Sequence, residues 1–383
     1  MNVQAEARKI NFVGLLTNLL SALTPREKDV LERRHSLLRE AKRKETLEKI
    51  GHDYNVTRER VRQIERDGIG KLHQQSGTAA VAQELMHIEE IVKKFLKKYG
   101  GVMQEDHLLD NLIDFYGISA GNLSSEEVSH HKRSLAFVIS HLLAEKFERV
   151  DTLDEYHPTW KLKETPWQLV EDVIAQLVTL IDSHGRPVSI DELLTKLKSH
   201  SFYSNLNTRM GTAAAMQKDM MDLDEAILSY LRTSKKIKKN LYNQVGLAHW
   251  STITPKRMAD KIYLVMKEAG TPLHFTAIAE MINAAHFDHK KALPATIHNE
   301  LILDDRYVLI GRGIYALKEW GYQPGTVAEV ITTVLRAAGP LTKEQIIEAV
   351  GKQRVVKKAT VNLALMNKDK FKKLPDKMYT IAG

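Results

Sequence analysis

A charged helical segment offers the clearest chemistry in this sequence. The stretch VTRERVRQIE, residues 56–65, alternates polar side chains of both signs with apolar residues at helical spacing. Arginine can donate two hydrogen bonds to guanine, glutamine can bind adenine in the same way, and glutamate can accept a hydrogen bond from cytosine. The segment is therefore a candidate DNA-reading helix, with candidate DNA-binding residues Thr57, Arg58, Glu59, Arg60, Arg62, Gln63 and Arg66.

Taken alone, the same stretch would be interpreted as a solvated helix with charge pairs at i, i+4 spacing. Its apolar side changes that interpretation. Val61, Ile64, Gly68 and Leu72 fall on one face and predict that the helix is anchored there, while Thr57 is placed to cap its first turn. The polar face would then be left free to contact a ligand.

The segments before this helix are those that would position it. LTPREKDVLERRHSL begins with Thr24 as a predicted N-cap and Pro25 at the first helical position. Thr46 is placed to cap a second, short helix, Gly51 would allow close packing, and HDYN would turn the chain. A leucine-rich stripe over residues 12–23 predicts a further amphipathic helix upstream. The predicted order of helix, tight turn and helix favours DNA readout over simple solvation.

LTPREKDVLERRHSL followed by TLEKIGHDYNVTRERVRQIE resembles region 4 of the sigma-70 family of transcription initiation factors, over roughly residues 10–73. The resemblance implies that the last helix enters the major groove of a -35-like promoter element and that the preceding helices contact the beta flap of bacterial RNA polymerase. It implies base and backbone contacts by Arg58, Glu59, Arg62 and Gln63. Phosphate contacts by Thr57 and Arg60 are implied in the same way.

Two departures from the family pattern accompany the match. The sequence has no aromatic-rich segment resembling the sigma region that melts promoter DNA, so we expect no promoter opening by this chain. Gly68 and Gly70 stand where the family usually has good helix formers. Since an internal glycine costs about 1 kcal/mol relative to alanine, we expect the reading helix to end or loosen near them.

Beyond residue 83 one pattern recurs four times: an amphipathic helix, a glycine, a short extended step, two further helices and a two-strand pattern. Three helices and a hairpin predict a winged helix. The predicted fold class is mainly α, with an N-terminal helix-turn-helix and four tandem winged-helix modules. The predicted domains are the sigma-like module 1–75 and winged helices 84–164 (degenerate), 166–252, 255–322 and 324–383.

The third copy resembles the HARE-type helix-turn-helix, a winged-helix family found in the delta subunit of some bacterial RNA polymerases and in chromatin and restriction proteins. AGTPLHFTAIAEMI and RYVLIGRGIYAL carry this resemblance. Members of that family bind DNA in some settings and proteins in others, so the predicted fold leaves its role open.

Charge distinguishes the copies. Lysine clusters in the second and fourth copies could bind phosphates through counterion release, and a solvated rim is an equally good interpretation. The third copy instead carries Glu300, Asp304 and Asp305 around its third helix, which favours a protein contact. The candidate phosphate-binding residues are Lys235, Lys236, Lys357, Lys358, Lys372 and Lys373.

Composition excludes several classes of function. The chain has 383 residues, a net charge of +8 and no cysteine, so disulfides, thiolate metal ligands and cysteine nucleophiles are excluded. Neighbouring histidines at 130 and 131 are interpreted as solvated or DNA-facing rather than metal-binding, and no nucleotide-binding loop or serine elbow is found. We expect no enzyme, no metal, no cofactor and no small-molecule substrate. No signal peptide or membrane span is predicted, so a cytoplasmic, nucleoid-associated location is expected.

These patterns together predict a DNA-binding transcription factor, acting as a sigma-like accessory protein or regulator. Its expected partners are double-stranded DNA and bacterial RNA polymerase, through the beta flap. Two alternatives stay open: a nucleoid or chromatin-type protein that binds DNA with little sequence preference, and a protein-interaction scaffold built from winged helices.

Overall fold

The computed structural model describes residues 10–37, 43–119, 123–213, 222–322 and 324–382. It is mainly helical with small antiparallel sheets, which confirms the mainly α prediction. The chain divides into two compact units. The first comprises Met1–His184 with Asp191–Ile237, and the second comprises Gly185–Ile190 with Lys238–Gly383.

The first unit begins with the helices that the sequence predicted around the tight turn. They are α1 (Phe12–Leu20), α2 (Pro25–His35), α3 (Leu47–Asp53) and α4 (Arg58–Ser76). The leucine stripe of α1 is buried as its spacing indicated, with Leu16 and Leu20 fully inaccessible. α2 and α3 both pack against α4, so the predicted helix-turn-helix is confirmed in its element order.

The next elements of the first unit form three helices and a three-stranded sheet. They are α5 (Ala79–Lys98), β1 (Val102–Gln104), α6 (Glu105–Phe115), α7 (Ser125–Phe137) with a following π-helical turn (Val138–Leu142), β2 (Phe147–Val150) and β3 (Thr159–Leu162). The antiparallel strand order is β1-β3-β2, with Met103 opposite Trp160. One apolar cluster includes residues of α1, α5, α6, α7 and β3, so these elements share a core.

The remaining elements before residue 252 include one helix that the sequence pattern did not predict, α10. They are α8 (Trp167–His184), α9 (Ile190–Ser199), α10 (Ser201–Ala213), α11 (Leu223–Thr233), β4 (Ile237–Lys239) and β5 (Val245–Leu247). α11 is tied to the start of β1, because Ser229 donates to the carbonyl of Val102 and Tyr230 donates to that of Gly100, both at 2.6 Å. A Cβ at Gly100 would lie 2.6 Å from that of Ala226, so this approach requires glycine.

The second unit continues with two groups of three helices followed by strands. The first group is α12 (Met258–Ala269), β6 (Leu273–His274), α13 (Phe275–Ala285), α14 (Pro294–Leu303), β7 (Tyr307–Gly311) and β8 (Ile314–Leu317). The second is α15 (Val327–Ala338), α16 (Lys343–Gln353), α17 (Lys358–Leu365), β9 (Phe371–Lys373) and β10 (Tyr379–Ile381). Each group surrounds its own apolar cluster, which includes Ile278 in one and Ile346 in the other.

The extended step that recurs in the sequence lies at an equivalent place in every copy. It forms β1 and β6 in the first and third copies, each hydrogen-bonded to the last strand of its copy. In the second and fourth copies it is a single bridge, from Val188 to Val245 and from Leu341 to Tyr379. The repeated pattern of the sequence thus corresponds to a repeated strand pairing. Its interpretation as four winged helices stays a prediction.

Candidate DNA-binding surface

A small apolar cluster forms the base of the candidate site. Val30 of α2, Ile50 of α3, and Val61 and Ile64 of α4 are buried together, with Leu47, Tyr54 and Val56 packed around them. The buried positions on α4 follow one helical face, as the sequence indicated, so the opposite face points to solvent. Packing therefore determines which side of α4 can meet a ligand.

Hydroxyl caps define where three of these helices begin. Thr24 and Glu27 form a reciprocal capping box at the start of α2. Thr46 accepts a hydrogen bond from the Lys49 amide at 3.2 Å, and Thr57 accepts one from the Arg60 amide at 3.2 Å. All three predicted N-caps are confirmed. The cap at Thr57 places the first turn of α4, with its free amide groups, at the exposed end of the site.

The turn between α3 and α4 is tight because residue 51 has no side chain. The Val56 amide donates to the Gly51 carbonyl at 2.8 Å, and Asn55 takes a left-handed conformation with φ of 50°. A Cβ at Gly51 would lie 2.7 Å from the carbonyl oxygen of Val56. The predicted role of Gly51 in close packing is confirmed, because its lack of a side chain lets α3 approach the backbone at the start of α4.

An arginine on α2 joins the two ends of α3. Arg33 contacts Glu45, just before α3, at 2.6 Å and also contacts Asp53 at the end of α3. The hydrogen bond from Arg33 lowers the pKa of Glu45 and of Asp53, and those carboxylates raise the pKa of Arg33. No spacing pattern indicated this network, since its members lie far apart in the chain.

A second set of polar contacts ties α2 to α4. Glu65 accepts from His35 at 3.0 Å and from Arg34 at 3.3 Å, while Lys71 contacts Glu27 at 2.7 Å. Burial by itself would raise the pKa of Glu65, but the hydrogen bond from His35 and the charge of Arg34 lower it. Glu65 therefore helps to hold α2 against α4, although it belongs to the charged stretch that first indicated a DNA-reading face.

The predicted DNA-binding residues lie together on the free side of α4. Six of them are exposed and Gln63 is half-buried, so the whole set is at least partly accessible to solvent. The exposed residues are Thr57, Arg58, Glu59, Arg60, Arg62 and Arg66. Their assignment as DNA contacts stays a prediction.

Several of these side chains are paired with one another. Arg62 donates to both carboxylate oxygens of Glu59 at 2.6 and 2.8 Å, and Arg60 donates to Gln63 at 3.2 Å. The hydrogen bond from Arg62 lowers the pKa of Glu59. Arg58 lies 3.5 Å from Glu48 of α3. Because exposed ion pairs contribute little stability, these side chains can change partners at low cost.

The two glycines in α4 do not shorten it, so the expectation that the helix ends or loosens near them is wrong. α4 runs without interruption from Arg58 to Ser76. A Cβ at Gly68 would lie 3.3 Å from Leu31 of α2, whereas nothing lies within 4 Å of one at Gly70. The close packing of α2 against Gly68, together with the buried Leu72 beyond it, offsets the low helix propensity of glycine.

The candidate phosphate-binding lysines fall into two groups. Lys235 donates to the carbonyl of Asp154 at 2.9 Å and Lys236 contacts Glu155 at 2.7 Å, so both have partners within the chain. The others are exposed and form no salt bridge with any residue that the structure describes. They are Lys357 and Lys358 at the start of α17 and Lys372 and Lys373 on β9.

The third helix of the copy at residues 255–322 presents a different surface. Ile302 and Leu303 of α14 are 61% and 82% exposed, and Asp304 is held by Arg306 at 2.7 Å. Glu300 is half-buried and Asp305 is exposed. Acidic and apolar groups at this position do not favour a phosphate backbone, as the sequence indicated.

The neighbouring histidines are placed differently from the sequence-based interpretation. His130 and His131 on α7 are half-buried, and one ring nitrogen of each is buried without a hydrogen-bond partner among the described residues. Both rings are therefore only partly accessible to solvent. Across the described ranges, no cluster of three histidine, aspartate or glutamate side chains could hold a metal ion. No described helix is both long and apolar enough to cross a bilayer.

Comparison with known proteins relates the segment that carries this surface to a protein family. Residues 19–74 match the family model for Sigma-70, region 4. RNA polymerase sigma factor SigA of Microcystis aeruginosa and that of Synechocystis sp. are each 53% identical over 57 residues, which is 15% of this chain and 13% of each relative. SigA of Clostridium acetobutylicum is 48% identical over 61 residues, or 16% of both chains.

The matched segment includes the end of α1, all of α2 and α3, and most of α4. The resemblance inferred from the sequence is thus confirmed for region 4. The chain spans only 13% to 16% of the length of these curated relatives, so their activity as whole proteins is not transferred with the match.

Proposed function

We propose that this protein is a DNA-binding transcription regulator that selects a -35-like promoter element through α4 and associates with bacterial RNA polymerase. The observation that carries the proposal is the exposed polar face of α4, anchored by Val61 and Ile64 within a segment that matches sigma-70 region 4. The proposal assigns site selection to this chain, and strand opening to other components, because the match lies in region 4.

The chemistry of the exposed face supports readout of bases in addition to phosphates. Arg58 and Arg62 can each donate two hydrogen bonds to guanine, Gln63 can bind adenine, and Glu59 can accept from cytosine. Thr57 and Arg60 lie at the first turn, where backbone amides and a cation favour a phosphate. Arg66, further along the exposed face, would contact the backbone or the edge of the site.

We propose the beta flap of the polymerase as the protein partner, on the basis of the family resemblance. The leucines of α1 are already buried against α4 and α7 within the chain. A flap contact would therefore use the outer sides of α1 and α2, where Thr17, Asn18 and Arg26 are exposed. The surface proposed for the flap is therefore polar, because the apolar residues of α1 are buried within the chain.

We further propose that residues 84–383 form four winged helices, the third of them HARE-like. The recurring order of helix, strand or bridge, two helices and hairpin supports this interpretation, as does the strand order β6-β8-β7 in the third copy. The fourth copy, with its exposed lysines, would extend the footprint along DNA. The third, with acidic and apolar groups on α14, would contact protein.

One alternative function has its own supporting observation. Lys357, Lys358, Lys372 and Lys373 are exposed and form no salt bridge among the described residues, and such lysines bind phosphates without sequence choice. A nucleoid-type protein that binds DNA with little preference would rely on them rather than on α4. An interaction scaffold with inert winged helices is the third candidate. All three proposals are non-enzymatic, need no cofactor or small-molecule substrate, and imply a cytoplasmic, nucleoid-associated protein.

Selection of bound fragments from random double-stranded DNA, with and without RNA polymerase, tests the proposal. Enrichment of a defined promoter-like element by the full chain, abolished in Arg62→Ala, is the expected result. Enrichment of no sequence, with unchanged recovery of DNA by Arg62→Ala, would support the nucleoid-type function. Failure to retain DNA or polymerase at all would leave the scaffold as the remaining candidate.

A further inference from the structure

A polar cleft lies within the first unit, away from the exposed face of α4. Its volume is about 630 Å³, and it is bounded by the C-terminal end of α2, Lys44, one side of α6 and α7, and β2. The sigma-like helices and the following three-helix group thus both contribute to its walls. None of the candidate DNA-binding residues lines it.

Arg133 of α7 brings unused hydrogen-bond donors to this cleft. Its Nη1 donates to the hydroxyl of Ser129 at 2.9 Å, but its Nε and Nη2 are buried with no acceptor among the described residues. A guanidinium can present two parallel donors to an oxyanion, and leaving buried donors unpaired is costly. Among the described residues these donors thus have no acceptor, and an anionic ligand in the cleft could supply one.

Ser36 adds a second unpaired polar group on the other wall. It is only 3% exposed, follows α2 in a left-handed conformation with φ of 53°, and its hydroxyl has no hydrogen-bond partner among the residues that the structure describes. Buried hydroxyls normally have partners. Ser36 and Arg133 belong to different elements and both line the same cleft.

The charges around the cleft favour an anion. The carboxylate of Glu105 is engaged by Arg149 at 2.6 Å and by the indole of Trp160 at 3.0 Å. Lys132 is paired with Asp110, and Lys44 adds a further cation to the lining. Lys44 and Asp106 of the lining are both exposed to solvent, which screens their charges. The guanidinium of Arg133, which has no carboxylate partner among the described residues and whose Nε and Nη2 are buried, is therefore the main charge of the cleft.

One wall of the cleft is formed by three aromatic side chains that already pack against one another. The rings of His35, Phe137 and His141 lie 4.6 to 5.0 Å apart. Burial lowers the pKa of His141 to about 4, so that ring is neutral near pH 7. Because His35 also donates to Glu65 of α4, this wall connects the cleft to the back of the DNA-reading helix.

We propose that this cleft binds a small phosphate-bearing ligand, with the guanidinium of Arg133 and the hydroxyl of Ser36 as its principal donors. A tetrahedral phosphate has enough acceptor oxygens to accept from both walls at once, with Lys44 neutralising further charge. The source is inorganic phosphate or the phosphates of a nucleotide. Bound ligand would link the end of α2 to α7 and stabilise the first unit. The cleft would bind it whether or not α4 reads a promoter element.

Calorimetric titration of the full chain with inorganic phosphate, pyrophosphate and ATP tests the proposal, with sodium chloride of matched ionic strength as the blank. Saturable binding is expected, together with a rise in the melting temperature of the protein. Arg133→Gln should weaken binding at least tenfold. Arg336→Gln, which removes an exposed arginine of α15, is the matched control and should bind as the natural protein does.

Arg133→Lys and Ser36→Ala serve as further variants if Arg133→Gln does not fold. The lysine variant keeps the charge and removes the paired donors, so it should bind severalfold more weakly. ATP binding much more tightly than inorganic phosphate would identify a nucleotide as the source, and equal affinity would identify free phosphate. Equal binding by Arg133→Gln, or no saturable binding of any of the three anions, would overturn the proposal. A loss of DNA affinity in Arg133→Gln without anion binding would overturn it as well, and would indicate that Arg133 contacts the DNA backbone.

Discussion

Glu59 holds Arg62 through two hydrogen bonds on the exposed face of α4, at 2.6 and 2.8 Å. The acceptor and donor groups that could read cytosine and guanine are thus paired with each other in the free protein. Glu59 both competes with guanine for Arg62 and repels phosphates, so it should limit binding to incorrect sequences.

Replacement of Glu59 tests this role. In Glu59→Gln, Arg62 loses its charged partner, and one negative charge is removed from the surface that would face DNA. We expect higher affinity for random DNA and a smaller difference between preferred and random sequences. Fluorescence anisotropy with both DNA types at several salt concentrations measures the two affinities. Glu145→Gln, in an exposed turn far along the chain, is the control, and equal changes in both variants would contradict the prediction.

The N-cap at Thr57 should contribute to the stability of α4. Thr57→Ala removes the acceptor for the Arg60 amide and should lower the free energy of unfolding by about 1 kcal/mol. Thr57→Ser keeps the hydroxyl and should retain most of that stability. Urea denaturation followed by circular dichroism measures both. Equal stability of the alanine and serine variants would show that the cap contributes nothing.

Two glycines in the sigma-like region should respond oppositely to alanine. Gly51→Ala places a Cβ 2.7 Å from the Val56 carbonyl oxygen and should destabilise the protein by about 1 to 3 kcal/mol. Gly70→Ala meets no atom within 4 Å and should stabilise the protein by about 1 kcal/mol. Thermal and urea unfolding of the pair provide the comparison. Destabilisation by Gly70→Ala would mean that α4 requires flexibility there.

The Arg33 network predicts a pH dependence of stability. Arg33 lowers the pKa of Glu45 and Asp53 in the folded protein, from ordinary values of 4.5 and 3.8. Their contribution is therefore fully present above those values and is lost as the pH falls through the lowered ones. We expect the free energy of unfolding to fall in acid in the natural protein.

Arg33→Met should flatten this acid dependence, because the carboxylates lose the partner that lowers their pKa. Chemical denaturation at a series of pH values between neutrality and about pH 3 measures the slope. Lys49→Met, which removes an exposed cation that also contacts Glu45, is the control and should leave most of the slope. An unchanged slope in Arg33→Met would contradict the assignment.

The lysine clusters should differ in their effect on DNA binding. Alanine at Lys357, Lys358, Lys372 and Lys373 should reduce the salt dependence of binding, by up to about 0.9 in log–log slope for each phosphate that is no longer neutralised. Alanine at Lys235 and Lys236 should have less effect, since Asp154 and Glu155 already engage them. Anisotropy titrations over a range of salt measure the slopes. Equal effects of the two sets would show that their intramolecular partners do not matter.

Local signals in the sequence were sufficient to predict the helix-turn-helix. Hydroxyl caps, the apolar faces of α1 and α4 and the close packing at Gly51 are decided within a few residues, and all were predicted correctly. The length of α4 was not, because the packing of Leu31 against Gly68 comes from a helix more than thirty residues away. α10 was missed since its residues show little apolar periodicity.

The sequence predicted the exposed residues of the candidate site. It did not predict the tertiary contacts that hold α4 in place. The exposed face of α4 follows from helical periodicity alone, and in the structure those residues are exposed or half-buried. The contacts of Arg33 with Glu45 and Asp53, of His35 with Glu65, and the cleft around Arg133 depend on tertiary packing. No spacing rule in the sequence connects these residues.

We propose that α4 reads base edges. The most direct test is to measure the affinity of Arg62→Ala and of the natural protein for a set of promoter fragments that differ by single base pairs. We predict a loss of about 1 to 3 kcal/mol for the preferred fragment and loss of discrimination at one or two base positions, with other fragments little changed. Uniform weakening for every fragment, with a smaller salt slope and unchanged preference, would contradict the claim and indicate a phosphate contact only.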